Sequence, residues 1–344
     1  MVVLLFLGFP LSIIHAQDTI TETLNGFRDG DRVELQSLTG ISISETEDGF
    51  VIDLSESEPV GAPVYKSFQK DSSHSFCVTG RGTERYLQEG NTLYYEGFED
   101  KETCLRYTGK ETWLSFPLTT GNTIAGNLAA SGRYGGRLSF SIDGTYRTTM
   151  GKTGRLTLPD GRRLRQVLCL HTERDLTVAD SLYLRDVQSR YYAPGYRYPV
   201  VEDRTVSEAR TGAILFCQTL YAPVESQELL PLDDENLRIR RQLAEAGDRD
   251  GDMPSSPMSR YISYTIHQDT STQSVTIGYD LMESGKGQFI LANSKGMAFC
   301  TRTFRQVAGK GYSMTLSYAG LPSDVYLLYI CVNGERTIEK LNLK

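Results

Sequence analysis

Histidine, the side chain best placed to move protons near neutral pH, occurs only four times in the 344 residues of the sequence. His74, His171 and His267 lie in the body of the chain. A hydrolytic triad needs a histidine oriented by an acid and set beside a nucleophile. His171 has Glu173 and Asp175 nearby, but no G-x-S-x-G elbow or family-type cysteine motif accompanies it. It reads as a strand-edge histidine among solvated neighbours. Gly151-Lys152-Thr153 has the ending of a phosphate-binding loop, yet Tyr146 stands where that loop needs glycine. Arg155-Leu156-Thr157-Leu158 then reads as strand where the loop needs a helix. Asp248, Asp250 and Asp252 around Gly251 have the spacing of part of a calcium loop. Its twelfth position, which needs a bidentate acid, would be Ser259, or Tyr261 counted from Asp250. A solvated acidic linker fits these residues better. Acids are plentiful enough for a glycosidase pair, whose separation is a property of the fold, and nothing singles one pair out.

Aromatic and sulfur chemistry is denser. Tyr191, Tyr192, Tyr196, Arg197 and Tyr198 form the most unusual local composition. Tyrosine faces stack on sugar rings and their hydroxyls bond to sugar hydroxyls, so Tyr192, Tyr196, Arg197 and Tyr198 are candidate ligand-binding residues. The competing reading, which the local pattern favours, puts alternate tyrosines in a core with Pro194-Gly195 making the turn. Trp113, the single tryptophan, has apolar neighbours Leu114 and Phe116 that point to core packing. The six cysteines are Cys77, Cys104, Cys169, Cys217, Cys300 and Cys331. Several sit in apolar runs and read as small buried hydrophobes. Were there a disulfide, Cys77–Cys104 is the pair to test. No two cysteines have C-x₂₋₄-C spacing, so no metal is expected, and no cofactor motif occurs.

The elements that must hold these residues begin with an export signal. Val2 to Ala16 contain no Asp, Glu, Lys or Arg, and the apolar run from Leu4 to Ile14 is too short to span a bilayer. A small residue, Ala16, ends it before polar Gln17-Asp18, which fits a cleavable signal over 1–16. No later stretch is a transmembrane span. With 43 acidic against 36 basic residues the net charge is −7, which gives no footprint for nucleic acid or an anionic membrane. Residues 17–223 read as a β-rich main domain. Turn signals at Asp29-Gly30, Asp48-Gly49, Glu89-Gly90-Asn91, Asp143-Gly144 and Pro159-Asp160-Gly161 divide short runs of β-branched and aromatic residues. Residues 224–258 read as a linker with one short helix, capped by Asp233-Asp234 and ending at Gly247. Seven short strands fit 259–344. The expected fold is all-β, a β-sandwich-like main domain plus a small C-terminal immunoglobulin-like β-sandwich. In the latter, Leu321 to Leu328 reads as the entry to a strand in which the Tyr326 hydroxyl bonds back to the preceding corner, with simple core packing of Tyr326 as the alternative.

At Phe289-Ile290-Leu291-Ala292-Asn293-Ser294-Lys295-Gly296-Met297, Leu316-Ser317-Tyr318-Ala319-Gly320-Leu321-Pro322, Asp324-Val325-Tyr326-Leu327-Leu328 and Lys340-Leu341-Asn342-Leu343-Lys344 the C-terminal part resembles a known family. It is similar to the C-terminal sorting domains of Bacteroidetes exported proteins read by the type IX (Por) secretion system. Asp324 stands where that family usually has Gly, and Met297 where a basic residue is common. The resemblance implies that Gly296, Leu321, Tyr326, Lys340 and Lys344 belong to a sorting motif. Three upstream phrases (113–118, 154–161 and 191–199) also resemble uncharacterised exported proteins of that group. The implied protein is secreted or held at the cell surface, or periplasmic if its C-terminal domain does not sort. Its implied partners are secretion machinery or surface glycans. A non-catalytic exported protein is the leading expectation. A carbohydrate- or peptide-binding module built on Tyr191–Tyr198, and a hydrolase with dispersed carboxylates, are the alternatives.

Overall fold

The computed structural model describes residues 19–46, 49–231, 233–245 and 261–343. The expected signal 1–16, Asp48 of one turn, Gly247 with the acidic linker at 246–260, and Lys344 lie outside the described residues. The chain opens with β1 (Thr19–Ile20), a one-turn helix α1 (Glu22–Asn25), β2 (Arg32–Thr39), β3 (Ile41–Thr46) and β4 (Gly49–Asp53). Then come β5 (Glu58–Asp71), β6 (His74–Thr79), β7 (Gly82–Glu89), β8 (Thr92–Glu99), β9 (Thr103–Ser115) and β10 (Leu118–Thr119). Long strands follow: β11 (Thr123–Tyr134), β12 (Leu138–Thr157), β13 (Arg163–Val178), β14 (Leu182–Tyr192), β15 (Val201–Glu208) and β16 (Ile214–Tyr221). Helices α2 (Val224–Glu228) and α3 (Asp234–Glu245) precede the last seven strands. These are β17 (Ile262–Asp269), β18 (Ser274–Leu281), β19 (Gly285–Asn293), β20 (Ala298–Gln306), β21 (Gly309–Ser317), β22 (Asp324–Val332) and β23 (Glu335–Leu343).

The all-β expectation holds, with 68% strand and 7% helix. The sandwich-like main domain does not. Twelve strands close into an antiparallel ring running β2, β5, β6, β7, β8, β9, β11, β12, β13, β14, β15, β16 and back to β2. The seam is short, Leu220 opposite Ser37 and Tyr221 opposite Gln36. Alternation could not distinguish these architectures, because an inward face reads the same whether it meets a second sheet or its own far wall. Asp143-Gly144, expected as a turn, lies inside β12 between β11 and β13. A methyl group on Gly144 would sit 2.1 Å from the Asp175 carbonyl oxygen, so this glycine serves close backbone approach instead of a turn. One end of the barrel is covered by β1 paired with β10, whose Ile20 and Leu118 join Leu230 and the inward residues Leu35, Phe68, Tyr86 and Leu170 in one core.

A second layer lies against the barrel wall. The end of β12 pairs in parallel with β4, and β4 pairs with β3. β3 then pairs with the last strand, Ile41 opposite Ile338, and the sheet continues through β23, β22, β19 and β20. A third layer, β17-β18-β21, faces this middle sheet. The middle sheet is therefore buried on both faces. Ile290, Ala292, Leu327, Tyr329 and Ile338 meet the barrel's outward residues Val167, Tyr191, Val201 and Cys217. Phe289, Leu291, Tyr326, Leu328 and Ile330 meet Val275, Ile277 and Leu316 of the third layer. That two-sided burial is why β19 and β22 carry continuous apolar runs instead of alternating ones. Each fully buried Leu, Ile or Phe contributes about 1.5–3 kcal/mol, so the last strands hold the molecule together as much as they hang from it.

Candidate functional site

The tyrosine cluster comes first, because the sequence offers it as a surface. Tyr192, Tyr196, Arg197 and Tyr198 are only 3–5% exposed, which leaves no aromatic face for a sugar and corrects the binding-surface reading. The four residues instead lock the covered end of the barrel. Arg197 donates to the Gly26 carbonyl at 3.1 Å, the Thr23 carbonyl at 2.9 Å and Asp233 Oδ1 at 2.6 Å, tying α1 to the start of α3. The Tyr198 hydroxyl donates to Asp31 Oδ2 at 2.9 Å, and its ring stacks on Phe68 at 4.4 Å. Tyr196 donates to Glu228 Oε1 at 3.0 Å. Burial, reinforced by Asp31 and Glu228, pushes both phenols above their ordinary range, so they act as neutral donors.

Inward positions of the barrel hold charges that the sequence did not mark out. Lys66 donates to both oxygens of Glu202 at 2.7 and 2.8 Å. Burial opposes the charge on Lys66, but Glu202 outweighs it and holds the ammonium above its ordinary range. Tyr86 donates to Glu84 Oε2 at 2.8 Å. The Arg190 guanidinium, 2% exposed, lies 3.8 Å over the Trp113 ring, a desolvated cation–π contact. These residues surround a cavity of about 30 Å³ that Cys77 also lines, room for one or two waters and for no substrate. A layer further along, Arg174 bridges Glu111 at 2.6 Å and Asp186 at 3.3 Å, while Arg204 grips both oxygens of Asp186 at 2.9 Å. Burial raises the Asp186 pKa, but Arg204 and Arg174 bring it below the usual carboxylate range. Glu111 Oε1 and both oxygens of Asp186 are thus held by arginine, while Glu111 Oε2 is buried with no hydrogen-bond partner among the described residues. This part of the lumen is an ionic core that reaches solvent at Arg204, whose side chain is 48% exposed.

His171 sits outside the barrel, opposite Ser189 in the β13–β14 ladder. Its Nδ1 lies 2.9 Å from Ser189 Oγ, and its Nε2 is 3.6 Å from Glu173 Oε1. Glu173 is engaged by Arg185 at 2.9 Å, which, with His171, brings the carboxyl below its ordinary range against the raising effect of partial burial. Serine, histidine and acid do meet here. However, both strands pair on both sides, so their backbone N–H groups are spent in the ladder and none can form an oxyanion hole. The histidine keeps the solvated neighbours that the sequence suggested, but it lies inside a ladder paired on both sides and not at a strand edge. On the neighbouring strands β7, β8 and β9, Arg85–Glu96, Lys110–Glu89 and Arg106–Glu99 pair at outward positions. No helix among the described residues is long and apolar enough to cross a membrane.

The six cysteines are free thiols. Cys77 belongs to β6 and Cys104 to β9, with β7 and β8 between them. Three strand spacings amount to roughly 14 Å, beyond the ~7 Å reach of a disulfide, which corrects the Cys77–Cys104 pairing. Burial pushes the thiols of Cys77, Cys169 and Cys217 up to about 12.

In the C-terminal layers, the Tyr326 hydroxyl donates to the Pro322 carbonyl at 3.0 Å, the corner contact expected. Leu321 packs at the edge of the same core, and Lys340 lies 3.7 Å from Glu58 of the barrel. Gly296 has a role the sequence did not show. Its turn sits on the barrel seam, and three successive carbonyls accept bonds from the barrel. Ser294 accepts from Ser37 Oγ and Gln218 Nε2, Lys295 from Arg81 Nη2, and Gly296 from the Cys217 amide at 2.7 Å. Comparison of the sequence with protein-family models and with curated proteins gives no match in either.

Proposed function

We propose that the chain is an exported, non-catalytic protein of the cell surface or extracellular space, and that its last seven strands serve secretion or surface attachment. The observation that carries this reading is the corner between Tyr326 and Pro322. It falls among the residues that carry the sorting-domain resemblance, within strands arranged as three facing four across one core. The same arrangement supports an immunoglobulin-like description of this part. Supporting the non-catalytic half are the small size of the cavity at Lys66 and Glu202 and the arginines that engage Asp186 and Glu111 Oε1. Removing the seven strands is a poor test, because it strips the middle layer from the barrel. The better one reverses the closing lysines, Lys340→Glu with Lys344→Glu, in the full chain expressed in a host with the secretion system. Accumulation in the periplasm with an unchanged melting temperature is expected; delivery equal to wild type refutes the sorting role.

A further inference from the structure

β20 is an edge strand. Among the described residues it pairs with β19 alone, apart from one bridge before its start, Met297 opposite Phe216. The free backbone groups can be located. The Lys286 carbonyl accepts from the Asn333 amide, so even-numbered residues of β19 address β22 and odd-numbered ones address β20. Gly287 opposite Phe304 and Phe289 opposite Arg302 are then the hydrogen-bonded pairs. Thr301, Thr303 and Arg305 turn their N–H and C=O groups outward. Consistent with this, the Thr301 carbonyl accepts, among the described residues, only from the side chain of its neighbour Arg302, at 3.3 Å.

The charge along this edge is one-sided in a chain of net charge −7. From Gly285 to Gln306 the sequence has Lys286, Lys295, Arg302 and Arg305 and no acid. None of the four makes an ion pair among the described residues. Lys286 and Arg305 stand directly opposite each other, a like-charge pairing that costs stability unless an anion lies between them. They line an open hollow of about 460 Å³ together with Val307, which is 68% exposed. Phe299, 44% exposed, flanks the other end of the edge. The third layer's edges have nothing comparable: β17 carries Asp269 and β21 carries Lys310 as their single formal charges.

Cationic edges also guard proteins against strand-to-strand aggregation. An edge built only for that purpose would not expose Phe299 and Val307 beside three open backbone pairs. We propose that β20 is a docking strand for an acidic, extended segment of a partner protein, which adds to the middle sheet at Thr301, Thr303 and Arg305 and seats a carboxylate between Lys286 and Arg305. Strand addition supplies affinity through the backbone and specificity through alternate side chains, so the partner segment alternates acidic with apolar residues. This inference does not depend on the export reading.

The test uses the full chain and a fluorescein-labelled peptide of alternating Asp and Val, read by fluorescence polarisation. A second peptide carries N-methyl groups on alternate amides, which removes its hydrogen-bonding edge and keeps its charge. Saturable binding of the first and not of the second is expected. Lys286→Glu with Arg305→Glu should weaken binding about tenfold or more. Thr303→Pro removes an outward N–H at an edge where proline is tolerated, and should weaken binding comparably while leaving the melting temperature unchanged. Absence of binding assigns the charges to protection of the edge and overturns the proposal. Equal binding of the N-methylated peptide, or indifference to Thr303→Pro, shows a polyanion surface and overturns it as well.

Discussion

The docking of the 293–297 turn on the barrel seam can be weighed with two glycines of one domain. Gly296 has φ +89° and Gly320 has φ +80°, so both occupy the left-handed region. Replacing either with alanine costs about 1–2 kcal/mol in backbone strain. The surroundings differ. A methyl group on Gly296 would lie 2.6 Å from the Phe216 ring and 2.9 Å from the Gln218 side chain, both on β16 of the barrel, whereas on Gly320 it would meet nothing within 4 Å. Relieving that overlap costs a further ~1–3 kcal/mol. Gly296→Ala is therefore expected to lose about 2–5 kcal/mol, and Gly320→Ala about 1–2 kcal/mol. Urea unfolding followed by Trp113 fluorescence reads this well, because the single tryptophan lies in the barrel and not among the strands being altered. A larger shift for Gly296→Ala at the Trp113 signal shows that the turn is seated on the seam and that the layers unfold together. Equal losses for the two variants, or a Trp113 transition unmoved by either, would refute the seating.

Three further outcomes are expected. Arg174→Met should destabilise the chain by about 3–5 kcal/mol, since it leaves buried Glu111 without its cation; chemical denaturation of the variant measures it, and a loss below ~1 kcal/mol would contradict the ionic-core description. The Asp186 carboxyl titrates lower in the folded chain than in the unfolded one. Its contribution is full above the unfolded value near 4 and disappears as pH falls through the folded value. The urea midpoint should therefore drop below about pH 4, and Asp186→Asn should lack that part of the drop. Cys77, Cys169 and Cys217, with thiols held up by burial, should resist an aromatic disulfide reagent at pH 8 until denaturant is added. Mass mapping of modified cysteines would show otherwise if the barrel or its interface with the middle sheet opens.

The strands themselves were legible. In β18, Ser274–Leu281 alternates buried and partly exposed residues along its whole length, and that alternation is written in Val275, Ile277, Tyr279 and Leu281. Helix α3 was legible from its acidic start at Asp233-Asp234. Closure of the ring was not, because pairing of β16 with β2 rests on two residues that no local pattern marks. A stronger signal went unused: Phe289-Ile290-Leu291-Ala292 and Tyr326-Leu327-Leu328-Tyr329-Ile330 do not alternate, which announces strands buried on both faces. The lumen was illegible for a related reason. Lys66, Glu84, Arg174, Asp186 and Glu202 look like solvated positions, and only the closed ring turns their side of each strand inward. The tyrosines of 191–198 were correctly weighed as core, though their hydroxyl partners Asp31 and Glu228 lie too far along the sequence to be anticipated.

The pairing of Ile41 with Ile338 joins strands near opposite ends of the chain. Hairpin β3–β4 is made early in synthesis, yet its open side finds a neighbour only when the last nine-residue strand appears. Contacts of such long sequence separation come late and slowly, after most loop-closure entropy has been lost. Until then Ile43, Ile52 and the outward residues Val167 and Val201 of the barrel share an uncovered apolar face, the kind of surface on which unfinished chains stick to one another. A chain made from its N-terminus onward therefore exposes this face until β23 has been made.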